Sequence, residues 1–118
     1  MRTLPFKKTG TITVNQKRLD DFWAEHPLQK PANVMVLDIQ GAELMALEGA
    51  THTLKDIDAI VTEVSCTELY KGCALIEDLD AFLLNQGFRR VNTIVNMFSW
   101  GDALYVRKQF LTQKPRAS

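Results

Sequence analysis

Two cysteines, six glycines and four prolines in 118 residues are few, and each scarcity removes a class of protein. Cys66 and Cys73 could form one disulfide at most, which excludes a disulfide-stapled scaffold, and both read as reduced thiols. His26 and His52 stand alone, so no Cys/His cluster has zinc spacing and no metal is expected. The glycines are Gly10, Gly41, Gly49, Gly72, Gly87 and Gly101, and no two are close enough to build a glycine-rich ligand turn. No apolar run approaches the roughly 18 residues of a membrane-spanning helix. The first eleven residues lack the apolar centre of a secretory signal, so a cytoplasmic location is expected. Excess charge of one sign is also missing: 14 Lys and Arg balance 14 Asp and Glu. Its distribution is uneven, with six basic residues against three acids in residues 1–30, two against ten in 31–88 and six against one in 89–118. An acidic middle between basic ends excludes a broad nucleic-acid surface, which needs basic residues gathered at the contact.

What remains is an ordinary globular composition, 46% hydrophobic and 24% charged. At this length one domain is expected over residues 1–118, burying roughly two-thirds of its unfolded surface. It reads as an N-terminal strand and short helix in residues 1–30, an α/β core in 33–108 and a fraying tail in 109–118. The most informative stretch runs from Val34 through Asp38 to Gly41 and Glu43, where an unbroken apolar run meets an acid, a glycine and a helix start. A strand apolar on both faces predicts cover on both, the arrangement of a parallel sheet layered by helices. Asp38 then falls at the carboxyl end of that strand, where open α/β sheets place their ligands.

Residues 11–15 alternate β-branched and polar side chains and predict a half-exposed strand. Asp20 or Asp21 is suited to cap a short helix ending before Pro27. After Gly41, Leu44, Met45, Leu47 and Leu54 fit a helix resting on the sheet, with Gly49 either interrupting it or capping a first segment. Residues 57–64 form a second apolar run with Glu63 and Ser65 at its end. A strand, helix, parallel strand unit is right-handed almost without exception, so Asp38 and Glu63 are expected on one rim. Leu79, Phe82 and Leu83 recur at helical spacing up to a stop at Gly87, and residues 88–95 and 103–108 predict an antiparallel hairpin joined through 96–102.

The series Leu37-Asp38-Ile39-Gln40-Gly41-Ala42-Glu43, Leu47-Glu48-Gly49-Ala50, Glu63-Val64-Ser65 with Leu69-Tyr70, and Gly101-Asp102-Ala103-Leu104-Tyr105-Val106 resembles the carboxyl-terminal half of the FkbM-type methyltransferases. Arg18-Leu19-Asp20-Asp21-Phe22 is similar to the segment before that family's central strand, and the likeness covers residues 11–108. The resemblance implies a partial Rossmann-like class I methyltransferase sheet, local strand order four, five, seven, six, with helices on both faces. It implies descent from an enzyme that moves a methyl group from S-adenosylmethionine to a hydroxyl of a sugar or other small molecule. The glycine-rich turn that grips the cofactor in such enzymes is missing, so the chain is expected to be half of a methyltransferase that binds S-adenosylmethionine poorly and is inactive alone.

On that resemblance Asp38 is the first candidate for a proton-accepting or cofactor-facing role, with Gln40 and Gly41 beside the cofactor and Glu63, Ser65 and Tyr70 around the acceptor. Plainer roles compete. Asp38 can cap the following helix, Gly41 can simply permit a tight turn, and polar groups at strand ends often bond only backbone or water. His52 reads as a surface residue, Asp102 as a turn residue, and Trp23 and Trp100 as core or interface anchors. Besides an enzyme portion completed by its missing N-terminal half, a noncatalytic small-molecule binding module and a homodimeric assembly module fit the sequence. The last follows because Val34–Leu37 would leave an apolar strand edge needing cover.

Overall fold

The computed structural model describes residues 10–65, 75–96 and 100–111. In chain order they form α1 (Leu19–Glu25), β1 (Val34–Leu37), α2 (Glu43–Glu48), a 3₁₀ turn (Thr53–Asp56), β2 (Ala59–Ser65), α3 (Ile76–Asn85), β3 (Phe88–Val95), β4 (Trp100–Arg107) and α4 (Lys108–Leu111). The fold is α/β. One four-stranded mixed sheet has the order β1-β2-β4-β3, with β1 and β2 parallel and β4 antiparallel between β2 and β3. The parallel pair requires a crossover, which α2 and the 3₁₀ turn supply; the short link between β3 and β4 suffices for a hairpin.

The core lies on one face of the sheet. Ile60 and Val64 of β2 and Ala103 and Tyr105 of β4 point to it, because alternate strand residues share a face. Leu47 of α2, Leu54 of the 3₁₀ turn and Ile76, Leu79 and Leu83 of α3 pack onto the same set. Each of these buried leucines contributes about 2 kcal/mol of apolar transfer free energy. Asp80 on α3 ties the helix to the hairpin, accepting from Arg90 Nε and Nη2 at 2.9 Å and from the Tyr105 hydroxyl at 2.6 Å. Gly87 stops α3 at φ +95°, and its N–H returns to the Leu84 carbonyl, as the sequence predicts. Arg107 braces the entry to β2, donating to the Ile57 and Leu54 carbonyls with its guanidinium 4.6 Å from the Phe88 ring centroid.

Several expectations need correction. The opposite face of β1 is uncovered: Val34 and Val36 are 53% and 69% exposed, and every buried apolar helical side chain described belongs to the one-sided core. An apolar run shows that burial is favourable, but it cannot supply the layer that covers it. The predicted strand at residues 11–15 is absent as well; these residues are exposed with no regular structure. Alternating β-branched residues carry strand propensity, but a strand needs a partner for its N–H and C=O groups. α2 ends at Glu48 with Gly49 as its C-cap, the second of the two alternatives at that glycine, and Met45 points to solvent. β4 begins at Trp100, so Asp102 lies in a strand instead of a turn. Gly101 permits this: a Cβ there would sit 1.8 Å from the Ile94 carbonyl oxygen on β3.

Candidate functional site

The last ladder pair of β1 and β2 is Leu37 with Thr62. One residue further, the parallel register brings Asp38 beside Glu63, and the antiparallel register sets Asp102 opposite Glu63 on the other side. Three acids therefore form a row across the carboxyl ends of β1 and β2, on the face away from the core. Asp38 and Asp102 are exposed and Glu63 is half-buried. Burial pushes the Glu63 carboxyl up to about 7, and the hydrogen bond and charge of Asp38 and the charge of Glu43 add to the rise. The Trp100 indole N–H donates to Glu63 and opposes it. A hydrogen bond between two carboxyls needs a proton, and Glu63, held up to about 7, supplies it below neutrality. The rim expected from the handedness of the crossover is thus present.

The turn leaving β1 is shaped by two left-handed residues, Gln40 at φ +56° and Gly41 at φ +99°. Gly41 suits this because it lacks a Cβ. Two of the turn's N–H groups are not left open. Glu43, only 4% exposed, accepts from Ile39 N–H at 2.8 Å and from Gly41 N–H at 2.9 Å. Gln40 Nε2 lies 3.5 Å from Asp38 Oδ1. Ser65 ends β2, buried and paired in register with Trp100. Tyr70, Cys66 and Cys73 lie outside the described residues.

Asp20 has a use the sequence reading did not find. It does not cap α1; its carboxylate reaches across to the 3₁₀ turn, accepting from His52 N–H at 2.9 Å and from Thr53 N–H and Oγ1 at 2.8 and 2.6 Å. Burial works against its charge, but these donors prevail and hold the carboxyl below its usual range. His52 is therefore a surface residue recruited through its backbone. Asp21 pairs with Arg18 at 2.9 Å instead. Glu43 and Trp100 are the contributors to the rim that sequence reasoning missed, because a carboxylate turned back past its own helix start leaves no periodic signal.

Two open grooves flank β1. One of about 760 Å³ lies between the segment before α1 and α2, and another of about 890 Å³ runs along the outer edge past Trp23, Leu28, Pro31, Val34 and Val36. Neither is lined by Asp38 or Glu63. Among the described residues, no group of three or more His, Cys, Asp or Glu side chains is placed to hold a metal ion. Among them, too, no helix is long and apolar enough to cross a membrane.

A mixed sheet whose parallel strands end in adjacent carboxyls has the form of the ligand rim of an open α/β domain. The model of the methyltransferase FkbM domain matches residues 2–90, and the chain belongs to that family. It is similar to a 2-O-methyltransferase, NoeI, of Sinorhizobium fredii (strain NBRC 101917 / NGR234), with 36% identity over 85 residues. That alignment takes in 69% of this chain and 35% of the relative, so the chain spans about a third of the length of the curated protein it matches. No solved structure matches the chain.

Proposed function

We propose that this chain is a methyltransferase-derived domain carrying the acceptor side of an O-methyl transfer site, with strands β1, β2, β3 and β4 corresponding to strands four, five, six and seven of a class I methyltransferase sheet. The observation that carries the reading is the carboxyl pair at the rim. A group titrating near neutrality, as Glu63 does at about 7, is matched to accepting a proton from a hydroxyl. Asp38 holds the partner position: when Glu63 takes the acceptor's proton, Asp38 and Trp100 stay in hydrogen-bond reach and keep the acid oriented. Ser65 and Asp102 stand beside it for further contacts to a small, hydroxyl-rich molecule.

The methyl donor of this reading is S-adenosylmethionine. The described residues fit it poorly. Asp38 offers one exposed carboxylate, while the Ile39 and Gly41 N–H groups of the following turn are taken by Glu43. The chain alone is therefore inactive. Calorimetry with S-adenosylmethionine, paired with a labelled-methyl assay on hydroxyl acceptors, tests it. The expected result is a dissociation constant above about 1 mM, a binding free energy weaker than about 4 kcal/mol, and no transfer. Micromolar binding by the isolated chain would overturn the assignment of an acceptor side only.

The uncovered edge favours a second reading, assembly into a homodimer. β1 is an outer strand of the described sheet, uncharged and exposed at Val34 and Val36, and twofold pairing of two such edges would be antiparallel. Sedimentation at high micromolar concentration distinguishes the two: a dimer weakened by Val36→Lys supports pairing through β1, and a monomer excludes it. A cytoplasmic location goes with either reading.

A further inference from the structure

Glu43 opens α2, yet its carboxylate serves no residue of that helix. Both oxygens turn back across the connection from β1, one to Ile39 N–H at 2.8 Å and the other to Gly41 N–H at 2.9 Å, at a site where the side chain is almost wholly buried. Between these two donors lies Gln40 at φ +56°, a left-handed conformation that a side-chain-bearing residue adopts only when its surroundings impose it. The cap residue Ala42 has no side-chain acceptor, and its N–H makes only a long 3.4 Å bond to the Ile39 carbonyl, so the shorter bidentate grip of Glu43 reinforces the turn. Asp38 is the residue immediately before this turn, just past the last ladder pair of β1.

Resting on the reading of Asp38 and Glu63 as the acceptor-side pair, we propose that Glu43 is a positioning residue, whose clamp on the Ile39 and Gly41 amides fixes the turn that holds the Asp38 carboxyl against Glu63. It touches neither acceptor nor donor. The groups facing Glu63 are Asp38 from the end of β1, Glu43 from α2, and Trp100 and Asp102 from β4. Glu43 could influence Glu63 through its charge alone. The two routes separate in a double-mutant cycle.

Carbon-detected NMR of the Glu63 carboxyl is followed in the unmodified chain, Glu43→Gln, Asp38→Asn and the double variant, together with amide exchange at Ile39 and Gly41. Glutamine presents a donor to one of the two N–H groups, so exchange at Ile39 and Gly41 is expected to rise at least about tenfold while α3 stays protected. The Glu63 midpoint is expected to fall by about one pH unit in Asp38→Asn. It should fall similarly in Glu43→Gln, with little further change in the double variant. Additive shifts would overturn the positioning role while leaving the carboxyl pair intact. An unmoved midpoint in Asp38→Asn would instead overturn the pair itself. Should Glu43→Gln fail to fold, the unmodified chain still decides: the Ile39 and Gly41 amide resonances must both follow titration of the Glu43 carboxyl, and independence of either one refutes the clamp.

Discussion

Replacing Glu63 with glutamine should make the protein more stable at pH 8 and leave it nearly unchanged at pH 5. Glu63 ionises at about 7 in the folded chain against an ordinary value of 4.5, so the folded state holds its proton more tightly than the unfolded state does. Between those values the folded state binds more protons, and stability falls as pH rises through the window. The full shift would correspond to about 3 kcal/mol, and screening by water at the half-exposed rim reduces this to about 1–2 kcal/mol. Glutamine keeps the shape and one acceptor for Trp100 but cannot ionise. Urea unfolding of both proteins at each pH isolates Glu63 and its interactions with Asp38 and Glu43, because titrations elsewhere cancel in the difference. The variant's midpoint should rise by about 1 M at pH 8, given a slope of about 1–2 kcal/mol per molar for a domain of this size. Equal differences at pH 5 and pH 8 would refute the claim that a neighbouring acid and burial raise Glu63.

Gly101→Ala should cost at least about 2 kcal/mol in the same unfolding assay, because the new Cβ meets the Ile94 carbonyl of β3 and the hairpin must open to admit it. Asp20→Ala should cost about 1–2 kcal/mol at pH 7, leaving the His52 and Thr53 donors without their acceptor. Since the Asp20 carboxyl is held below its usual range, its contribution is present above that range and lost as pH falls through the folded value. The gap between wild type and Asp20→Ala should therefore narrow as pH falls below 3.8. Tyr105→Phe should cost about 1–2 kcal/mol by removing the 2.6 Å bond to Asp80, with Arg90 still paired to that carboxylate; a neutral substitution would show that the bond adds nothing.

The sequence made the rim legible because its determinants are local and chiral. Val34–Leu37 is a short apolar run with punctuation at both ends, and the structure returns the same four residues as β1. Right-handed crossover then requires Asp38 and Glu63 to finish side by side. The order β1-β2-β4-β3 inserts the last strand between the other two, which pattern alone would not have given. What escaped reading depends on partners distant in sequence. Residues 11–15 have strand propensity but do not pair with the open edge of β1, and Val34 and Val36 have apolar side chains that stay exposed. Asp20 satisfies donors some 30 residues away, and Asp80 meets Tyr105 across the helix–sheet interface. Glu43 and Trp100 act on Glu63 from two different elements, a convergence that spacing along the chain does not encode.

The most direct measurement is the proton titration of the Glu63 carboxyl in the unmodified chain, followed by carbon-detected NMR from pH 3 to pH 9 alongside Asp38. A Glu63 midpoint near 7, with the Asp38 resonance responding in the same step, is the predicted result for two hydrogen-bonded strand-end carboxyls at one rim. A midpoint near 4.5 with no response at Asp38 would contradict it.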